Sequence, residues 1–393
     1  MTQSAPSPAA VHRSAIVIDT HADTPQRFLD EGFDLAMPRV GGDLNLDSIR
    51  EGNLAAQFFA IFVEPERYQG QYAHRALEMI DALRQQVARH SDQIDFATSA
   101  DGILAAHRAG KFAALMGIEG GHAIEGSLRL LRIYHALGAR YMTLTWNNSN
   151  GWADSSGDMD DPNVAHTEDG LTEFGEQVVR EMNRLGMMVD ISHVSDRTFY
   201  RVLGVSCAPV IASHSSARAL CNAPRNLTDD MIRAVAASGG PQSQGGVVMV
   251  NFYSGFLSQP YLDALKATEP ECDREVEALK SEAVTAGKPI PWDAVHKLKL
   301  AYANRIPRPP FTALIDHIDH VAKIGGVDHT GIGSDFDGVG SQLPEGMDSP
   351  ADLPKITAAL MTRGYSAEDC HNILGGNLLR VFHETEQVSR EGA

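Results

Sequence analysis

The stretch Ala15-Ile16-Val17-Ile18-Asp19-Thr20-His21-Ala22-Asp23 sets the reading of this chain. Its β-branched run reads as a short buried strand. Side chains alternate along a strand, so His21 and Asp23, two apart, point the same way. An imidazole and a carboxylate projecting together from the end of a buried strand form half of a metal site. In a hydrolase built on that plan, the other half comes from the ends of later strands. The competing reading is a His-x-Asp that stands in a loop with no such role.

Seven further short apolar runs follow, at 55–62, 112–118, 141–145, 187–191, 209–213, 247–252 and 330–334. Amphipathic helical patterns separate them, among them 73–90, 127–137, 172–185, 228–237 and 311–324. Gly110, Gly138, Gly186 and the pair Gly325-Gly326 stand where helices should stop, just ahead of a strand. Eight alternating units predict an α/β fold, a (β/α)8 TIM barrel with its helices outside. A doubly wound open sheet is disfavoured, because no G-x-G-x-x-G follows the first run. Residues 255–310 exceed a usual connection and carry two charged helical patterns before a rigid Ile306-Pro307-Arg308-Pro309-Pro310 stop. They are expected to form a helical insertion between strands seven and eight. It reads as a lid or subunit contact at the catalytic rim, or as a solvated excursion with no part in chemistry. The expected organisation is a tail at 1–14, one metallohydrolase domain at 15–385 and a tail at 386–393.

Composition narrows the function classes. The 393 residues include 51 acidic and 33 basic ones, a formal charge of −18. That argues against nucleic acid or an anionic membrane surface as partner, though not against an anionic substrate met by one cation in a pocket. The four cysteines form no C-x-x-C, so neither a thiolate zinc site nor a disulfide framework is indicated. No apolar run approaches the ~20 residues of a membrane span. The first residues have no apolar core, and the last are polar, so neither a signal peptide nor a lipid-anchor tail is expected. A cytoplasmic location is expected, or a periplasmic or secreted one if a leader was removed.

In such barrels, site residues come from the C-terminal ends of several strands. Strand one offers His21 and Asp23, strand three Glu119, strand five His193, strand six His214 and strand eight Asp335. Singly, each has a plain structural role: a hydrogen-bonded core histidine, a helix cap at Glu119, a turn anchor at Asp335. Five coincident strand ends favour a metal site. Three imidazoles and two or three carboxylates suit zinc, and are too many for one tetrahedral ion with an open position. Two ions sharing a bridging carboxylate use them all, and Glu119 is the natural bridge. His21 and Asp23 would hold one ion, His193 and His214 the other. A water bridging the ions would lose its proton near neutral pH and act as nucleophile. Asp335 would orient it and pass its proton to the leaving group, with Asp337 as the alternative base. His122 and Glu125 are read as supporting these ligands or starting a helix. Arg225 would bind a carboxylate bidentately if it stood in a cleft, or make a surface ion pair if it did not.

Together these motifs resemble the membrane (renal) dipeptidase family of amidohydrolase-type barrels. The matching pieces include Asp19-Thr20-His21-Ala22-Asp23-Thr24-Pro25, Gly117-Ile118-Glu119-Gly120-Gly121-His122, Asp190-Ile191-Ser192-His193, Ser213-His214-Ser215-Ser216, Pro224-Arg225-Asn226, Met249-Val250-Asn251-Phe252-Tyr253 and Gly333-Ser334-Asp335-Phe336-Asp337-Gly338. They run in order over nearly the whole chain. The resemblance implies a binuclear zinc dipeptidase with the ligand roles given above and Asp335 rather than Asp337 as base. It implies that Arg225 binds the C-terminal carboxylate of the dipeptide and that Tyr253 lies near the substrate. It also implies a homodimer and tolerance of a D residue on the C-terminal side. Three departures bear on substrate range. Trp146 stands where the mammalian type has a His that contacts the reacting carbonyl, so polarisation would rest more on zinc, on Asn147 or on another donor. Gln26 replaces a Trp, and the mammalian type lacks the insertion at 255–310. The main alternative is another amidohydrolase-type metal-dependent hydrolase acting on N-acyl amino acids or related amides. A barrel that binds a ligand without turning it over is the reading of a different class, and only the loss of that His supports it.

Overall fold

In the computed structural model, which describes residues 6–392, all eight apolar runs form parallel strands. The nine strands are β1 (Val17–Ala22), β2 (Leu54–Phe62), β3 (Ile94–Phe96), β4 (Phe112–Glu119), β5 (Ala139–Thr143), β6 (Met188–Asp190), β7 (Ile211–Ala212), β8 (Val247–Val250) and β9 (Thr330–Ile332). Eight of them are the staves, in the order β1-β2-β4-β5-β6-β7-β8-β9. β3 was not foreseen. It pairs with the first residues of β4, Phe112 to Ala114, ahead of the point where β5 takes over. Three residues after a long helix carry too little periodicity to announce a strand.

Alternation along the staves divides their side chains between two cores. Ile18, Phe58, Leu115, Tyr141, Met188, Ile211 and Met249 fill the barrel, together with Leu378, Val381 and Phe382 of the last helix. Val17, Phe59, Met116, Met142 and Val248 pack outward under the helices. Burial on both faces is why the strands read as continuous apolar runs. β9 and β1 close the ring with few contacts. Asp335 N–H donates to His21 O (3.1 Å) and Asp23 N–H to Phe336 O (2.8 Å). The barrel is thus nearly closed, and its seam lies among site residues.

The expected tails are corrected by the structure. Residues Pro8–Ser14 form a helix capped by Ser7, with Val11 and His12 buried. His12 bonds Thr357 Oγ1 through Nδ1 (2.7 Å) and Gly52 O through Nε2 (2.9 Å). An Ala/Pro/Ser-rich stretch hides this, because only two of its side chains find the core. The other tail is the end of helix Asn377–Glu391, where Thr385 is buried and Ser389 Oγ donates to Arg184 O (2.8 Å).

The insertion is helical, as expected: Ser254–Leu257, Gln259–Thr285 and Trp292–Ala303. It has a small core of its own in Cys272, Val276, Val295 and Tyr302. Its far side reaches the loop after β2, where Lys280 pairs with Glu66 (2.6 Å) and Arg67 with Asp293 (3.7 Å). It therefore runs along the rim of the barrel from β8 to β2.

Candidate metal centre

The strand ends bring His21, Glu119, His193 and His214 into one buried group, with Asp23 and Asp335 at its edge. His21 belongs to β1 itself, and Asp23 begins the helix Thr24–Asp30. Glu119 ends β4. His193, His214 and Asp335 follow β6, β7 and β9, and His193 and Asp335 adopt left-handed backbone (φ 67° and 66°). Non-glycine residues held there are strained, which clusters at functional sites.

Glu119 divides the group. Its Oε2 lies 3.3 Å from His21 Nε2. Its Oε1 lies 3.1 Å from His193 Nε2 and 3.6 Å from His214 Nε2. Asp23 Oδ2 and Asp335 Oδ1 stand 3.5 and 4.0 Å from His21 Nε2. Asp335 Oδ2 accepts a bond from Asn251 Nδ2 (2.9 Å). A Cβ at Gly338 would stand 2.2 Å from Asp23 Oδ2 and 2.5 Å from Asp335 Oδ1, so only glycine fits against the two carboxylates.

The second nitrogen of each imidazole fixes its tautomer. The Tyr141 hydroxyl donates to Thr20 O (3.1 Å), so it accepts from His21 Nδ1–H (3.0 Å). Asn147 Oδ1 can only accept, so His193 Nδ1 carries the proton in that 3.0 Å bond. Ser213 Oγ donates to Asp190 Oδ2 (2.6 Å), and thus accepts from His214 Nδ1–H (2.7 Å). In the neutral rings all three Nε2 atoms then point inward with a lone pair. His21 Nε2 is buried without a hydrogen bond, and His193 Nε2 faces His214 Nε2 at 2.9 Å. Lone pairs at that separation repel unless a cation lies among them. The donor set, imidazole nitrogens plus carboxylate oxygens with each histidine anchored behind, fits zinc.

The electrostatics agree. Burial, with the Glu119 charge, raises Asp23 to about 7, and burial likewise raises Asp335. Burial and the Arg225 charge push His193 down to about 3, and burial and the His21 charge push His214 well below its ordinary value. His21 rises well above its usual range despite burial, next to Tyr141 and Glu119. Glu119 is held low, against burial, by His21 and His193. Three carboxylates packed this tightly lack positive charge.

Around the group opens a cleft of about 390 Å³. Asp335 lines it and Asp337 does not. Asp337 is instead engaged behind it by Thr24 Oγ1 (2.6 Å), Asp43 N–H (2.7 Å) and Arg27 Nη1 (3.3 Å). Arg225 lines the cleft rather than the outer surface. It donates to Ser215 Oγ (3.3 Å) and His214 O (3.2 Å), and its buried Nε has no partner. Burial lowers its pKa to about 10, against the charges of Asp335, Glu119 and Asp190, and among the described residues none of these carboxylates pairs with it directly. A buried guanidinium without a directly paired counter-charge is an anion site. Trp146 packs on Phe62 (ring centroids 4.7 Å apart) and, with Tyr253 and Gln26, completes the walls. His122 Nε2 meets Val63 O (2.7 Å), and Glu125 accepts from Ala73 N–H (3.1 Å), so both are structural supports.

Sequence reasoning did not single out the anchors Tyr141, Ser213 and Asp190. Their only signal is adjacency: Asp190 and Ser213 sit within three residues of a ligand candidate, while Tyr141 meets His21 from 120 residues away. It also missed Lys299, which reaches the cleft from the insertion.

The family described as Membrane dipeptidase (Peptidase family M19) matches residues 7–393. The chain belongs to that family. It is therefore a metal-dependent dipeptidase, and the broader amidohydrolase alternative is not favoured. The dipeptidase is 34% identical to human Dipeptidase 3 over 387 residues, 97% of this chain and 67% of that protein. Its fold is similar to that of the probable dipeptidase PvdM from Pseudomonas aeruginosa, with a TM-score of 0.81 and 26% identity over 97% of this chain and 98% of that one. It is also similar to a metallo peptidase from Rhodobacter sphaeroides liganded with a phosphinate mimic of L-Ala-D-Ala. There the TM-score is 0.74 and the identity 25%, over 95% of this chain and 100% of that one. No helix among the described residues is long and apolar enough to cross a membrane.

Proposed function

We propose that this dipeptidase uses two zinc ions. His21, Asp23 and Glu119 would hold one, and Glu119, His193 and His214 the other. The observation that carries this reading is the set of three tautomer-fixed Nε2 lone pairs arranged about the two oxygens of Glu119. Bound there, zinc supplies Lewis acidity, which lowers the pKa of a water and polarises the scissile carbonyl.

The chain's own residues do the rest. Arg225 takes the C-terminal carboxylate in a paired, desolvated contact and so sets the register of the dipeptide. Tyr253 and the Phe62–Trp146 wall confine its side chains. Asp335, held through Oδ2 by Asn251, keeps Oδ1 free to take the proton of the attacking water and return it to the leaving amine. Trp146 can donate one hydrogen bond but cannot become a cation. Activity on L-Xaa-D-Xaa dipeptides is supported by the phosphinate mimic of L-Ala-D-Ala in the Rhodobacter relative. The resemblance supports a homodimer, and four unpaired cysteines are consistent with the cytoplasm.

The test is to load the purified protein with zinc, count the metal, and screen L-Xaa-L-Xaa and L-Xaa-D-Xaa dipeptides beside their C-terminal amides. Two zinc ions per chain and cleavage of free dipeptides over amides are expected. Metal binding with no dipeptide cleaved overturns the reading. Equal turnover of free and amidated substrates removes Arg225 from its role.

A further inference from the structure

The cleft has a second cation with no assigned role. Lys299, on helix Trp292–Ala303 of the insertion, lines both the reaction cleft and an adjoining cleft of about 490 Å³. Among the described residues its ammonium makes no ion pair within 4 Å, although Glu269 and Asp273 share the second cleft. Its charge is felt at Glu64, just past β2: burial raises that carboxyl, while a backbone N–H from Arg67 and the Lys299 ammonium lower it.

Its position follows from the barrel. β2 and β7 are the second and sixth of eight staves, and so stand opposite one another. Arg225 belongs to the loop after β7, whereas Lys299 shares its clefts with residues after β8 and β9 and is felt at Glu64 after β2. A dipeptide with its carboxylate on Arg225 would direct its N-terminal residue across the centre towards Lys299. Charge favours an anion there. Asp23, Glu119 and Asp335 contribute three negative charges when ionised, and two divalent ions more than offset them. Arg225 and Lys299 then leave the lining positive. A zwitterionic dipeptide adds no net charge, whereas a second carboxylate does.

We propose that Lys299 is a specificity residue that makes this enzyme prefer dipeptides whose N-terminal residue carries a side-chain carboxylate. The proposal rests on the two-zinc dipeptidase reading above. The insertion brings this cation into the lining of the reaction cleft, where the side chain would meet it, whereas the second cleft carries Glu269 and Asp273 and does not suit an anion.

The test compares L-Glu-L-Ala with the near-isosteric L-Gln-L-Ala on the zinc-loaded enzyme, as a ratio of kcat/KM values. Taking the ratio within one variant cancels general damage. A partly exposed ion pair should favour the Glu substrate about three- to fivefold, less at high salt. Lys299→Met should bring the ratio near one, and Lys299→Glu should invert it. Lys297→Met, on the same helix but outside both clefts, should leave it unchanged. A ratio that Lys299→Met does not move, or that Lys297→Met moves equally, overturns the proposal. Either result would still show L-Gln-L-Ala cleaved. Failure of the dipeptidase reading itself would show neither substrate cleaved.

Discussion

The floor of the cleft and its rim are built to different tolerances. On the floor, His21, His193 and His214 are each held by a second hydrogen bond: from Tyr141 on β5, from Asn147 in the loop after β5, and from the adjacent Ser213. At the rim, the insertion rests on surface pairs such as Lys280–Glu66 and Arg67–Asp293. A side chain with two anchors has one geometry, which metal chemistry requires. A side chain on an exposed helix has many, and can change without disturbing the barrel. The contrast teaches that this fold keeps reaction and selectivity on separate elements. Substitutions that test it should fall steeply in effect from floor to rim.

The largest effect belongs to Asp335→Asn. Burial and the Asn251 bond survive the change, but the proton acceptor does not. A positioned general base contributes roughly 10²–10⁴-fold. Turnover should fall by that factor with metal content unchanged. Loss of metal in step with turnover would make Asp335 a ligand, and an unchanged kcat would remove it from catalysis.

His317 joins the two regions. It lies on helix Thr312–Gly325, directly after the insertion. Its Nδ1 accepts from Ala217 N–H (3.0 Å), in the loop that leads to Arg225, and its Nε2 donates to Leu257 O (3.2 Å), where the insertion starts. Burial lowers its pKa to about 4, against an unfolded value near 6.5. The folded state thus favours the neutral ring. Its contribution is fully present above pH ~6.5 and is lost as pH falls towards 4, by about 2–3 kcal/mol. His317→Gln removes this titration. The stability gap between wild type and variant, read by denaturant unfolding, should shrink by about that amount from pH 7 to pH 4. A gap that does not change with pH would show that the ring is not held neutral.

Anchors of the floor come next. Tyr141→Phe frees the His21 ring, and Ser213→Ala frees the His214 ring. Outer partners of metal-binding histidines are worth about 10–100-fold in affinity. Chelator competition should show the metal held more weakly by that factor in each variant. Unchanged affinity would mean that packing alone orients the rings.

The same contrast explains what could be read from sequence. The staves are buried on both faces, so their residues form apolar runs that need no partner to be seen. Ligand candidates close those runs, which made His21, Glu119, His193, His214 and Asp335 legible. β3 is three residues long, and the helix Pro8–Ser14 buries only Val11 and His12, so neither leaves a pattern. The anchors were hidden for another reason. A tyrosine in a strand looks like core until its hydroxyl is found 3.0 Å from His21. Lys299 was least legible of all. Its helix carries charges at Asp293, Lys297 and Lys299, and only the tertiary path of the insertion brings one of them to the cleft.

The smallest effect marks the outer limit of the rim. Lys280 ties the insertion to the loop after β2, bonding both carboxylate oxygens of Glu66 (2.6 and 2.9 Å) and lying 5.2 Å from the Trp292 ring centroid. Glu66 is more than half exposed, so water screens the pair and its side chains lose entropy to hold it. Lys280→Met keeps the aliphatic contact with Trp292 and removes the charge. It should cost no more than about 0.5 kcal/mol, and dipeptide turnover should change less than about twofold. A tenfold fall in kcat would place this tether in the reaction machinery. The insertion would then be a part whose exact seating the chemistry needs, and floor and rim would no longer be separable.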